Sequence, residues 1–178
     1  PVGVVLTIAA AGSEMSGGVR NISVANCQFL GTDVGLRFKS KRGRGGVVEN
    51  IWVKNVSMMD IATEPVTFNL YYGGLSAVEL LESGIKQPDE VTPMPVDETT
   101  PIFKNIYIDN LVCSGARRAL FFNGIPEMPI DGITLQNIDI TSTYGAEFVY
   151  SKNITLKNVN IHNEKGQKII SRFCDKIH

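Results

Sequence analysis

One nine-residue phrase returns five times in this chain, and each time its apolar alternation slips by one place at the same asparagine. The copies begin at Asn21, Asn50, Asn105, Gly132 and Asn153; the second reads Asn50-Ile51-Trp52-Val53-Lys54-Asn55-Val56-Ser57-Met58. Ahead of the later asparagine, Ile51 and Val53 take the inward places of a half-buried strand, and beyond it Val56 and Met58 take them. In a flat strand such a slip turns the apolar side chains to water. The chain must instead bend at Asn26, Asn55, Asn110, Asn137 and Asn158, so that both short strands face one interior. Asparagine tolerates the left-handed backbone of such a bend. Repeated once per coil, these side chains can also stack in a hydrogen-bonded ladder.

The corner asparagines usually lie twenty-odd residues apart, with strand pattern and no long amphipathic helix between them. This excludes βαβ units and describes an all-β solenoid, read as a right-handed parallel β-helix in which each coil covers its neighbours. Only the step from Asn55 to Asn110 is double. It contains residues 73–101, with four prolines, several acids and a short helix-like run at 76–83. That segment reads as a loop excursion from one coil. Residues 1–178 otherwise form a single unit, with 165–178 as a partial cap or a foreign tail. Ile22, Val24, Ile51, Val53, Ile106, Ile108, Ile133, Leu135, Ile154 and Leu156 are expected to be buried in register.

Each coil also has a second strand, at 35–40, 65–71 and 119–124. Aligning Phe38, Phe68 and Phe122 sets Leu36, Val66 and Leu120 beside them on the inside. Outward stand Arg37 and Lys39, then Thr67, Asn69 and Tyr71, then Phe121 and Asn123. A wall of basic, amide and aromatic groups is closer to a carbohydrate-binding face than to an ordinary solvated one. Arg37 and Lys39 project to one side, with Phe38 anchoring the strand from behind. Lys41, Arg42 and Arg44 follow, in and beside the glycine-rich loop 43–46. A guanidinium fork grips a carboxylate through two hydrogen bonds and a lysine adds a mobile charge, as a uronic-acid pocket requires. Taken alone, this run is more simply a solvated basic turn.

The formal net charge of −1 argues against a dedicated nucleic-acid binder, so any anion site must be a local cluster. No stretch is long enough to cross a membrane as a helix. Cys27, Cys113 and Cys174 are odd in number and far apart, giving neither a disulfide framework nor a zinc spacing. The first two read as small buried apolar side chains. Residues 2–11 are apolar and end in alanines, yet lack an initiator Met and a basic lead. They read as an incoming buried strand rather than a signal peptide.

Three segments in order, Gly12-Ser13-Glu14-Met15-Ser16-Gly17-Gly18, Gly35-Leu36-Arg37-Phe38-Lys39-Ser40 and Gly43-Arg44-Gly45-Gly46-Val47-Val48-Glu49-Asn50-Ile51, closely resemble the polygalacturonase family of glycoside hydrolases (family 28), bacterial members above all. Residues 68–72 and 119–129 are similar to bacterial members too. The resemblance covers roughly residues 12–161. It implies a pectin-lyase-like solenoid and inverting hydrolysis of α-1,4 links in polygalacturonan. It also implies a secreted or periplasmic location and an acidic polysaccharide, oligogalacturonate, as partner. Arg37 and Lys39 stand at the family's Arg-Ile-Lys motif and would hold substrate, with Asn69 and Tyr71 beside them. No cofactor, metal, nucleic acid or membrane is expected.

The family also uses three aspartates, in an Asn-Thr-Asp motif and an adjacent Asp pair, supported by a Gly-His-Gly motif. None of these occurs here. Val5-Leu6-Thr7-Ile8 stands where Gly-His-Gly belongs, and the histidines are His162 and His178. Phe38 replaces the family's isoleucine, a tolerable core exchange. The expectation is a C-terminal portion of a polygalacturonase, a fragment with the substrate-holding pair and no catalytic residue, inactive alone. Its partners would be missing N-terminal coils, or further copies associating at an open N-terminal end. The alternative is a non-catalytic carbohydrate-binding β-helix. A third reading is a structural solenoid whose basic loop meets another acidic partner.

Overall fold

A computed structural model of the chain describes residues 18–71 and 91–178. Its strands are β1 Val19–Leu30, β2 Leu36–Lys39, β3 Val47–Ile61, β4 Val66–Asn69, β5 Ile102–Ala116, β6 Arg118–Asn123, β7 Ile130–Val149, β8 Ser151–Arg172 and β9 Asp175–Ile177. All their pairings are parallel. The long strands stack as β1-β3-β5-β7-β8 and the short ones as β2-β4-β6, and β7 belongs to both stacks. Its first half lies beside β5, while Tyr144 to Val149 lies beside β6. This is a right-handed parallel β-helix.

Left-handed residues make the corners. Asn26, Asn55, Asn110, Asn137 and Asn158 have φ between 52 and 57°. Each copy has a second corner where one was expected: Asn21, Asn50, Asn105 and Asn153 have φ between 51 and 60°, and Gly132 takes that place at 63°. The later corner carries the ladder. Asn55 Nδ2 donates to Asn26 Oδ1 at 3.0 Å and Asn110 Nδ2 to Asn55 Oδ1 at 2.9 Å. The ladder then sidesteps, because Asn137 Nδ2 donates to Asp109 Oδ1 rather than to Asn110, before Asn158 resumes it on Asn137.

The interior follows the expected register. Leu36, Val66 and Leu120 are neighbours, as are Phe38, Phe68 and Phe122, and all six are fully buried. Phe38 stacks on Phe68 at 4.3 Å, Phe122 meets Phe68 edge-on at 4.6 Å, and Phe148 extends the column at 4.9 Å. Each such ring stabilises the fold by about 1.5–3 kcal/mol through burial alone. Cys113 sits in this core, where burial pushes its thiol up to about 12. The three cysteines form no disulfide.

The expected burial of the long-strand column fails at its ends. Ile22 is 37% exposed, and Val24 and Leu156 are only partly buried. Among the described residues β1 has a strand neighbour on one side only, and β8 is followed by three-residue β9. Among the described residues the first coil is therefore covered on one side and the last only in part. The apolar run at 2–11 and the helix-like run at 76–83 lie outside the described residues. β5 pairs directly with β3, so Asn55 and Asn110 touch although 55 positions apart. The described stretch 91–101 contains no strand and closes over the basic loop: the Thr99 carbonyl accepts from Gly43 N at 3.1 Å and Gly45 N at 2.7 Å. Gly45 has φ 59°, and a Cβ there would run into the Glu98 carbonyl.

Candidate functional site

The outward face of the short-strand stack brings the expected site residues together. Arg37 lies opposite Thr67 and Lys39 opposite Asn69; beyond them come Phe121 and Asn123. Alternation fixes this arrangement, since Leu36 and Phe38 are drawn wholly inside and leave Arg37 and Lys39 on the other face. The wall is less open than the sequence suggests, because Thr67 and Asn123 are buried. Asn69 Oδ1 accepts from Tyr71 N at 2.8 Å and from Asn123 Nδ2 at 3.3 Å. Its amide nitrogen is the group left to donate outward.

Tyr71 forms an antiparallel bridge with Lys41, which carries the basic loop back against the next coil. Its ring packs on the core and its hydroxyl is buried without a hydrogen-bond partner among the described residues. Burial pushes this hydroxyl up to about 12, even with Arg42 nearby. Among the described residues two other buried polar atoms also lack partners: Asp33 Oδ1 just before β2 and Ser40 Oγ just after it. All three flank the strands that carry Arg37, Lys39 and Asn69. Unsatisfied groups of this kind are scarce in native interiors, and each calls for an explanation.

Of the basic run, Arg42 is already committed. Its Nε and Nη2 donate to the two carboxylate oxygens of Glu127 at 2.5 and 2.6 Å, and Nη2 also reaches the Thr92 carbonyl at 3.2 Å. Burial works to raise the Glu127 carboxyl, but the hydrogen bond and charge of Arg42 together with the backbone hydrogen bonds of Glu127 and Met94 outweigh it and hold Glu127 below the usual carboxylate range. The same hydrogen bond, against burial, holds Arg42 above its ordinary value. This fork joins residues 85 positions apart, so no local motif announces it.

On the opposite flank of the wall lies a chain of charges. Arg118 donates to Glu64 Oε1 from Nε at 3.0 Å and Nη2 at 2.6 Å, and to Glu147 Oε2 from Nη1 at 2.7 Å. Glu147 in turn accepts from Arg172. Arg118 also caps the Phe121 ring, 3.7 Å from its centroid. Sequence reasoning missed Glu147 although Gly145-Ala146-Glu147-Phe148 repeats the pattern of Gly35-Leu36-Arg37-Phe38 one rung after another. Glu64 gives no such signal, because it belongs to a connection between strands.

The face can thus bring an anion to the two cations and a hydroxyl to the Asn69 amide. Among the described residues Glu64, Glu127 and Glu147 each answer an arginine, while Asp33 is a buried carboxylate just before β2. His162 lies elsewhere, on the long-strand stack beside Asp139 at 3.5 Å. Among the described residues no cluster of three His, Cys, Asp or Glu could hold a metal ion, and no helix is long and apolar enough to cross a membrane.

The family model of glycosyl hydrolases family 28 matches residues 3–117. A probable polygalacturonase of Vitis vinifera is 26% identical over 133 residues, covering 75% of this chain and 24% of the relative. Polygalacturonase-2 of Solanum lycopersicum is 26% identical over 146 residues, covering 82% and 28%. A polygalacturonase of Ralstonia nicotianae is 40% identical over 65 residues, covering 34% and 12%. The chain spans about a quarter of the length of the two plant relatives. No solved structure matches it.

Proposed function

The chain belongs to glycosyl hydrolases family 28, and from that premise we propose that it is the substrate-holding part of a pectin-degrading polygalacturonase. The observation that carries this reading is the gathering of Arg37, Lys39 and Asn69 on one outward face of the short-strand stack, fixed there by the burial of Leu36, Phe38 and Phe68. A polyhydroxylated acidic sugar suits such a face: its carboxylate goes to the cations and its hydroxyls to the amide.

The reaction assigned to the whole protein is inverting hydrolysis of α-1,4 galacturonosyl links in oligogalacturonate. It requires one carboxylic acid to protonate the leaving oxygen and a carboxylate to activate water on the opposite side. We assign neither role to a residue of this chain, because Glu64, Glu127 and Glu147 are spent on Arg42 and Arg118 and the Asp33 carboxylate has a buried oxygen beneath the face. The catalytic aspartates would lie in parts of the protein outside this sequence, and a secreted or periplasmic location goes with the substrate. The spent carboxylates equally support the second reading, a non-catalytic carbohydrate-binding β-helix, which differs in whether the full-length protein hydrolyses pectin.

Calorimetric titration of trigalacturonate into the 178-residue chain, with a parallel reducing-sugar assay, tests the proposal. Binding should be weak and should fall with added salt, because exposed charges are screened. It should be lost in R37Q/K39Q, and no reducing ends should appear. Reducing-sugar release by the pure chain, or binding indifferent to R37Q/K39Q, would contradict the assignment.

A further inference from the structure

The outward column that starts at Arg37 continues through Thr67, Phe121 and Glu147 to Ile170. At its far end opens a cleft of about 250 Å³, lined in part by Arg117, Tyr144, Lys165, Gln167 and Ile170. Strands in register lie about 4.8 Å apart, so three rungs from Arg37 to Glu147 place this cleft roughly 14 Å from the basic pair.

Several contacts fix its shape before any ligand arrives. Tyr144 N donates to the Arg117 carbonyl at 2.8 Å, and Arg117 N to the Thr63 carbonyl at 3.0 Å. Asn163 Nδ2 holds the carbonyls of Lys165 and Gly166 at 2.9 and 3.1 Å. Gly145 lets the Lys168 carbonyl approach where a Cβ would block it.

Charge at this cleft is unevenly used. Arg118 and Glu147 neutralise each other and their neighbours Glu64 and Arg172 within a partly buried chain. Arg117 and Lys165 are exposed and face no carboxylate within ion-pair distance among the described residues. Between them Tyr144 is 43% exposed and Ile170 38% exposed. Two open cations beside an exposed aromatic ring, an aliphatic side chain and the Gln167 amide match a pyranose that bears a carboxylate. Its apolar face can lie on Tyr144 and Ile170 while the carboxylate meets Arg117 or Lys165.

We propose that this cleft is a second, distal site for an acidic sugar unit, so that a long uronate oligomer engages both Arg37/Lys39 and Arg117/Lys165. For its substrate class the proposal rests on the reading of Arg37 and Lys39 given above; for its location it rests on the cleft alone. Two linked weak sites raise the affinity for a ligand long enough to span them. The chain should therefore prefer hexagalacturonate to trigalacturonate.

Amide chemical-shift mapping on the ¹⁵N-labelled chain with hexagalacturonate tests this. Perturbations should appear at 144–147 and 165–167 as well as at 36–39. R117Q/K165Q should remove the distal set, keep the proximal set and weaken hexagalacturonate roughly fivefold, as the loss of two exposed charge contacts implies. A distal set that persists in R37Q/K39Q still supports the cleft; loss of the proximal set in the wild type would fail only the earlier reading. No perturbation at 144–147 and 165–167, or equal perturbation by neutral maltohexaose, would overturn the proposal.

Discussion

Along the long-strand stack, Arg20, Glu49, Lys104, Asp131 and Lys152 follow one another in register, alternating in sign. Along the short-strand side run Glu64, Arg118, Glu147 and Arg172. The first column is loosely held, with contacts of 3.5, 3.2 and 3.4 Å and cations between 42 and 52% exposed. In the second, Glu64 is 2% and Arg118 19% exposed, and their contact is 2.6 Å. The open column uses one position of the repeat over and over. Opposite charges there avoid repulsion between rungs and add little stability, since exposed pairs are worth about 0–1 kcal/mol. The enclosed chain joins a connection, a strand start and two strand ends. Glu64 and Arg118 have lost most of their water, while Arg172 at the chain's end stays 47% exposed. The Glu64–Arg118 pair therefore contributes little net stability, while the cost of breaking it is large. Periodic columns hold this solenoid in register; aperiodic ones shape its clefts.

Breaking the enclosed chain should have the largest effect. Arg118→Ala strands Glu64 in the interior and should cost about 3–5 kcal/mol in denaturant unfolding. Replacing both partners, E64L/R118M, should recover most of that loss, because an apolar pair of similar size avoids the desolvation penalty. If the double variant is as unstable as the single one, the chain is not the isolated buried unit described. At the corner, Asn55→Ala gives up two ladder hydrogen bonds and forces alanine into φ 55°, and should cost about 1–2 kcal/mol. Asn55→Gly should cost less, and an equal loss would move the effect from backbone to ladder.

The Arg42–Glu127 fork sharpens the comparison through pH. The folded pKa of Glu127 is depressed, so its stabilisation is complete above the ordinary glutamate value of about 4.3 and is lost as pH falls through the lower folded value. Glu127→Gln should flatten this part of the acid limb of the stability curve. Smallest of all, Lys104→Ala in the open column should cost less than about 1 kcal/mol, and high salt should erase the difference. A Lys104→Ala loss as large as that of Arg118→Ala would remove the distinction between the columns.

The same distinction decides what the amino-acid sequence discloses. The slip at Asn55 and the alignment of Phe38, Phe68 and Phe122 are periodic, and the structure has both. The first corner of each copy was also readable: Val48 and Ile51 are both buried and three places apart, the same slip seen between Val53 and Val56. Stopping each phrase at its asparagine hides it. Exposure of Ile22 follows from covering by neighbouring coils, a property no single copy encodes. The Arg42–Glu127 fork and the Glu64–Arg118 chain join residues 85 and 54 positions apart with no period between them. Arg37 and Lys39 were legible because alternation alone puts them outward. The buried hydroxyl of Tyr71 was not, since the Lys41 bridge that turns the chain there is a contact between coils.

The central claim is that the outward face of the short-strand stack binds acidic sugar while the long-strand stack is scaffold. A crystal structure of the chain with hexagalacturonate tests it most directly. The account predicts a uronate carboxylate within hydrogen-bonding reach of Arg37 or Lys39 and further sugar units running rung by rung toward Glu147. Sugar bound instead along the long strands on Trp52 and Tyr107, whose exposed rings stack on neighbouring rungs, with the Arg37 face empty, would contradict it.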